Sequence, residues 1–273
     1  MAVVAGATLF AVSALAQEIP PPSPTPPIQD NSFLIEEAYN QPAGVVQHIS
    51  TFSVDRGGDG WAYSFTQEWP LFSQRHQVSF TLPVQRQAAP LGTGIGDVAL
   101  NYRYQLPVRR AEVLAIAPRL SVVLPTGDVD KGRGAGGAGL QANLPVSGML
   151  SQSFVTHFNA GATYTPSAEN AAGDRRPTTG FNAGQSLIWL ARPALNLMLE
   201  LAWNRNEDLL ENGDRARSNG LLLAPGVRGA LNFPSGLQIV PGIAVPIGIG
   251  PSKGERSVFF YVSFEHAFTK TVQ

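Results

Sequence analysis

From Val45 onward, apolar and polar residues alternate with a period of two along most of the chain. Residues 195–203, LNLMLELAW, place Leu195, Leu197, Leu199, Leu201 and Trp203 on one side and Asn196, Met198, Glu200 and Ala202 on the other. A strand separates these faces, although a helix would also gather Asn196, Glu200 and Asn204 at i, i+4 and i+8. The neighbouring segments arbitrate. Residues 44–54, 61–70, 76–86, 95–106, 113–124, 138–147, 152–165, 180–191, 195–206, 218–231, 236–249 and 255–268 repeat the alternation between Gly, Pro and Asp turns. They predict an all-β chain of twelve antiparallel strands. One set of connections is long and polar (56–60, 126–137, 166–179, 207–217) and the other mostly short (148–151, 192–194, 233–236), the asymmetry of an up-and-down transmembrane barrel.

With registers set by the apolar residues, Glu68, Asp97, Arg103, Arg119, Glu200, Arg228 and Glu265 all fall on the polar face. A charge facing lipid near mid-bilayer costs roughly 2–4 kcal/mol, which keeps the other face free of them. Periodicity alone does not say which face is inside, because a soluble barrel turns its apolar face inward and a membrane barrel inverts this. Three features predict inversion. Residues 1–16 form an apolar run too short to span a bilayer as a helix and ending in Ala14-Leu15-Ala16, as a secretion signal does, though without a preceding Lys or Arg. The loops are asymmetric. Trp61, Trp69, Trp189 and Trp203 lie near strand ends, where interfacial girdles belong, and Trp61 and Trp69 are separated by roughly 20 Å along the membrane normal at ~3.3 Å rise and ~40° tilt.

The last strand, SVFFYVSFEHAF, sets Val258, Phe260, Val262 and Phe264 outward and ends at Phe268, a further girdle residue. It is similar to the assembly signal of bacterial outer-membrane barrels, which implies the barrel-assembly machinery as a partner. The expected organisation is a signal peptide (1–16), a Pro-rich linker (17–30), a short helical or plug segment (31–43), the barrel (44–268) and a tail (269–273). Glu36 and Glu37 of the plug segment are placed to pair with lining arginines.

Composition adds limits. The net charge of −1 gives no reason to expect nucleic acid, and the absence of cysteine removes disulfides and thiolate metal sites. GAGGAG (134–139) matches a dinucleotide fingerprint but leads from a polar loop into a strand, without the helix N-terminus that holds a pyrophosphate. DVDKGRG (128–134) lacks the third ligand and closing Glu of a calcium loop. Asp128, Asp130, Lys131 and Arg133 read as a solvated rim touching lipopolysaccharide. His48 and Ser50 share the outward face of the first strand, the spacing of outer-membrane lipid hydrolases, but no orienting Asn or Glu faces the same way. His157 faces the lumen without a serine nucleophile on its own strand pattern. Neither enzyme activity, nor cofactor, nor metal is expected.

At GIGDVALNYRYQL (94–106) and APRLSVVLPTGDVDKGRG (117–134) the chain resembles the outer-membrane transporter family named for the meta-pathway of phenol degradation, with similar texture through 221–250. The resemblance implies passage of small hydrophobic or aromatic compounds. The expectation is therefore an outer-membrane channel of a Gram-negative-type bacterium for passive movement of small solutes, with outer-membrane lipid around it. Glu68, Asp97, Arg103, Arg119, His157, Glu200, Arg228 and Glu265 would line its lumen, in contact with solute or with one another. The competing reading is a structural or adhesive barrel with a closed lumen.

Overall fold

The computed structural model describes residues 32–57, 60–111 and 113–267. The signal peptide, the Pro-rich linker, Asn31, Phe268 and the tail 269–273 lie outside these residues. The chain enters the sheet with β1 (Val45–Asp55), β2 (Trp61–Leu71), β3 (Ser73–Gln87), β4 (Gly92–Ile95) and β5 (Val98–Tyr104). β6 (Leu114–Ile116), β7 (Arg119–Leu124), β8 (Gly139–Ser151), β9 (Phe154–Glu169) and β10 (Arg175–Arg192) follow. The last are β11 (Leu195–Leu209), β12 (Arg215–Gly229), β13 (Leu231–Asn232), β14 (Gln238–Ala244), β15 (Ile247–Gly248) and β16 (Ser257–Ala267).

Four of these segments continue others, so they build a closed barrel of twelve antiparallel strands. β4 and β5 both pair with β3 and are interrupted at Gly96 and Asp97. β6 and β7 both pair with β8 and break at Ala117-Pro118, where proline has no N–H to give the ladder. Pro246 separates β14 from β15 in the same way, and β13 prolongs β12. Closure comes from β16, which pairs with β1 in the register Ile49↔Ser263 and with β14, while β14 pairs back onto β12 through Val227↔Ile243. Closing the sheet leaves no edge strand, the condition for crossing a bilayer with strands.

The apolar face points outward. Leu197, Leu199 and Leu201 are 41, 45 and 43 % exposed, whereas Glu200 between them is 0 % exposed. Leu100, Leu120, Val122, Leu140, Leu187 and Phe260 stand outward on other strands, and burying such a band in acyl chains is the large favourable term for insertion. The strand termini separate into a turn rim, where β1 begins and β16 ends, and a loop rim opposite.

Two expectations are corrected. Residues 166–179 and 207–217 are not mostly loop, because β9, β10, β11 and β12 run on for 16, 18, 15 and 15 residues and leave only short turns at 170–174 and 210–214. A tilted strand needs about 9–11 residues to cross a bilayer, so these four form a wall rising past the membrane, braced by Arg215 and Arg217 against Glu207. Residues 32–43 are not helical either. The N–H groups of Phe33, Leu34, Ala38, Asn40 and Gln41 donate to barrel side chains, and those bonds compete with the i→i−4 bonds of a helix.

Candidate functional site

The lumen contains the chain's own N-terminal segment. Residues 32–41 lie in it in irregular extended form and turn at 42–44 into β1. The Glu200 carboxylate accepts from the N–H groups of Phe33 and Leu34, each at 2.7 Å. Farther along, Ala38 N donates to Ser147 Oγ (2.8 Å), Asn40 N to Gln105 Oε1 (3.0 Å) and Gln41 N to Gln77 Oε1 (2.8 Å). The wall reads a peptide backbone here, and the side chains that hold these N–H groups are acceptors on β3 (Gln77), β8 (Ser147), β11 (Glu200) and just past β5 (Gln105).

Glu36 is the charged centre of the contact. Its carboxylate meets Arg103 Nη1 at 3.2 Å and Arg119 Nε at 2.9 Å and accepts from Asn143 Nδ2 at 2.9 Å. Burial alone would raise its pKa, but the guanidinium charges of Arg119 and Arg103 and the donors of Asn143 and Arg119 outweigh that, so the carboxyl sits below its ordinary value. Arg103, 2 % exposed, also donates to Asn40 Oδ1, Glu37 O and Tyr39 O, and its Nη2 lies 3.7 Å from Glu68. Asn159 Nδ2 donates to Glu36 O.

The remaining lumen is not uniformly polar. Ile49, Ile188, Met198, Val240, Ala244, Phe259 and Tyr261 form an inward apolar cluster, completed by Phe33 of the inserted segment. The Phe33 ring lies edge-to-face with Phe259 and with Tyr261, at centroid distances of 5.9 and 6.0 Å. It fits over Gly226 and Gly242, where any Cβ would collide with it. Ile35 sits over Gly184 in the same manner. The alternation in the sequence puts Met198, Phe259 and Tyr261 on the inward face but gives no sign that one chain segment would fill the space before them. The available signal was Phe259 and Tyr261, two large apolar residues on the same face as Ser257, Ser263 and Glu265.

Above and below the inserted segment the lumen opens. A cavity of about 480 Å³ at the turn rim is lined by Tyr39, Gln41, Gln74, Phe233, Gln238 and Glu265. A smaller one of about 220 Å³ runs beside Phe33 and Leu34 along the hydroxyl-bearing wall of Thr51, Thr66, Ser79 and Thr81. At the loop rim a cavity of about 440 Å³ is bordered by Asp130, Glu169, Glu207, Asp208 and Glu211.

Of the lining residues expected from the sequence, Glu68, Arg103, Arg119 and Glu200 meet at the inserted segment. His157 lies on the same wall with Nδ1 2.7 Å from Ser147 Oγ, and its ring is edge-on to Tyr39. Arg228 is 1 % exposed and lies opposite Asn196 in the β11–β12 register. Glu265 accepts from Gln47 Nε2 at 2.9 Å near the turn rim. Asp97 does something else: it accepts from the N–H groups of Gly127 (2.9 Å) and Ala135 (2.7 Å) and so fastens the 125–138 loop onto the barrel mouth. Arg133, expected on a solvated rim, is also corrected. Its side chain is 5 % exposed, lies against Gly94, and donates to Leu91 O and to Asp128 Oδ2.

On the outer surface, Trp61 packs on Phe52, Trp69 on Phe80 and Trp189 on Phe154, while Trp203 is outward and part exposed. His48 and Ser50 are not joined. His48 Nε2 lies 3.3 Å from His266 Nε2 and Ser50 Oγ lies 3.2 Å from Tyr63 Oη.

No family model and no curated protein sequence matches the chain. Solved structures do. An outer-membrane channel from Pseudomonas putida F1 is similar with a TM-score of 0.66 at 11 % identity, over 85 % of this chain and 98 % of that one. The NanC porin is similar with a TM-score of 0.55 at 9 % identity, over 80 % and 98 %. The shared feature is the outer-membrane barrel fold.

Proposed function

We propose that the protein is an outer-membrane channel for passive passage of small solutes, hydrophobic or aromatic ones included, and that residues 32–43 close it at rest. The observation that carries this is the inserted segment itself. It blocks the lumen through hydrogen bonds to wall side chains, each contributing about 1 kcal/mol net because water satisfies the same groups when the segment leaves. Such a closure is firm and reversible. The inward apolar cluster under Phe33 supports an apolar or aromatic cargo, in line with the resemblance to the phenol meta-pathway transporters. The fold shared with outer-membrane channels supports the location, with lipopolysaccharide around the loop rim and assembly through β16. No catalytic step, cofactor or metal is part of the proposal.

The number of wall bonds on the segment also favours a second reading, a structural or adhesive barrel that never opens. Liposome swelling with sugars and with phenolics separates the two. Permeation that rises when residues 31–43 are deleted supports the channel; none at any solute size, in either form, supports the closed barrel.

A further inference from the structure

Phe33 is held in an unusual way for a residue of a closing segment: its ring and its backbone N–H are bound by separate parts of one built site. The ring fills a socket floored by Gly226 and Gly242 and edged by Phe259 and Tyr261. Its N–H is 2.7 Å from an oxygen of Glu200, a carboxylate with no exposure of its own. Within the residue, nitrogen and ring are separated by Cα and Cβ. Phe33 therefore presents the wall with a phenyl group carrying a hydrogen-bond donor two carbons away.

We propose that this socket is a solute-binding site, that its ligand class is a monocyclic aromatic with an N–H or O–H donor two carbons from the ring, and that such a solute opens the channel by taking the place of Phe33. The proposal rests on the channel reading above and specifies its cargo site.

Three features support exchange. Glycine at both 226 and 242 leaves room for one flat ring, and edge-to-face contacts with Phe259 and Tyr261 select an aromatic ring over an alkyl chain, because the ring quadrupole contributes beyond area burial. When the segment withdraws, the Glu200 carboxylate exchanges the Phe33 and Leu34 donors for water, and a ligand donor held in the socket replaces one of them directly. The cavity of about 220 Å³ touches Phe33 and Leu34 on the open side of the lumen, so a solute can lodge beside the socket before the exchange. The ligand must compete with a tethered ring whose local concentration is high, so millimolar solute is required.

Because the chain has no cysteine, a single Ile35→Cys substitution reports release of the segment through its labelling by a water-soluble maleimide in proteoliposomes. We expect 2-phenylethanol and 2-phenylethylamine to speed labelling at least tenfold, saturably, and 1-hexanol and hexylamine at equal concentration to speed it less than twofold. Phe33→Ala, or Phe33→Leu should the first not fold, should label rapidly without solute. Equal acceleration by the ring-free compounds, no acceleration by the aromatic ones, or slow labelling of the Phe33 variants would each overturn the proposal. Bilayer conductance of the same Phe33 variants separates the two claims. If they conduct while the parent ignores aromatic solutes, only the socket proposal fails; if they label rapidly and carry no current, the channel reading fails.

Discussion

Glu36 shows how one side chain can set the resting state of the lumen. It faces Arg103, Arg119, Asn143 and, through its carbonyl, Asn159, with Glu68 on the far side of Arg103. Its side chain is 21 % exposed, so removing its charge should cost less than breaking a fully buried pair, about 2 kcal/mol. Glu36→Gln is therefore expected to raise the open population roughly thirtyfold, read as more frequent openings in single-channel records at neutral pH. The same charge predicts a pH response. A carboxyl whose pKa is depressed in the docked segment stabilises docking fully above its free value, near ~4.3, and loses that contribution as pH falls through the docked value. Openings should increase below about pH 4. Glu200 also accepts from the segment, so the diagnostic is the difference from Glu36→Gln: if the variant shows the same acid response as the parent, Glu36 is not the group responsible. Sequence reading found the acids and their arginine partners because charge on an amphipathic face is conspicuous. It missed Phe33, whose importance lies in a glycine-floored socket built by strands about two hundred residues away.

At the level of elements, the period of two carried most of the fold. β11 illustrates why: Leu197, Leu199 and Leu201 turn to lipid and Glu200 inward, so any other register would put the carboxylate in acyl chains. The strand limits were less legible. Polar residues such as those at 166–169 and 175–179 read as loop because hydropathy reports the bilayer, while the ladder of hydrogen bonds continues wherever two strands still pair. The inserted segment is expected to be helical because Asn31 or Ser32 can start a helix and Pro42 stop it, whereas the wall acceptors that hold it extended come from distant strands. The facing of β11 gives a test. Leu199→Arg places a charge near the middle of the apolar band and should destabilise the folded barrel by roughly 2–4 kcal/mol, seen as a lower urea midpoint for the heat-modifiable gel species. Thr81→Lys points at the hydroxyl-lined cavity beside the segment and should shift that midpoint far less. Equal losses would contradict the assigned faces.

For the whole molecule, twelve strands enclose a lumen wider than the side chains of its walls can fill, and the chain resolves this by returning its own N-terminal segment to the interior. Strand count and orientation were readable because each strand repeats the same signal; the path of a segment that occurs once, and is bound through its backbone, leaves no periodic trace. If the closure is the gate, fixing it in place should silence the barrel without unfolding it. Ala38 N lies 2.8 Å from Ser147 Oγ, so the two Cα atoms cannot be more than about 6.7 Å apart, inside the span a disulfide tolerates. In a chain with no other cysteine, Ala38→Cys with Ser147→Cys should form a bond that reductant opens. The oxidised protein is expected to show no solute-driven current and normal heat-modifiable migration, and the reduced protein to regain current. Current that persists through the oxidised, demonstrably cross-linked barrel would mean that solutes pass beside residues 32–43, along the hydroxyl-lined wall of Thr66 and Thr81, and that the segment is a permanent part of the pore lining.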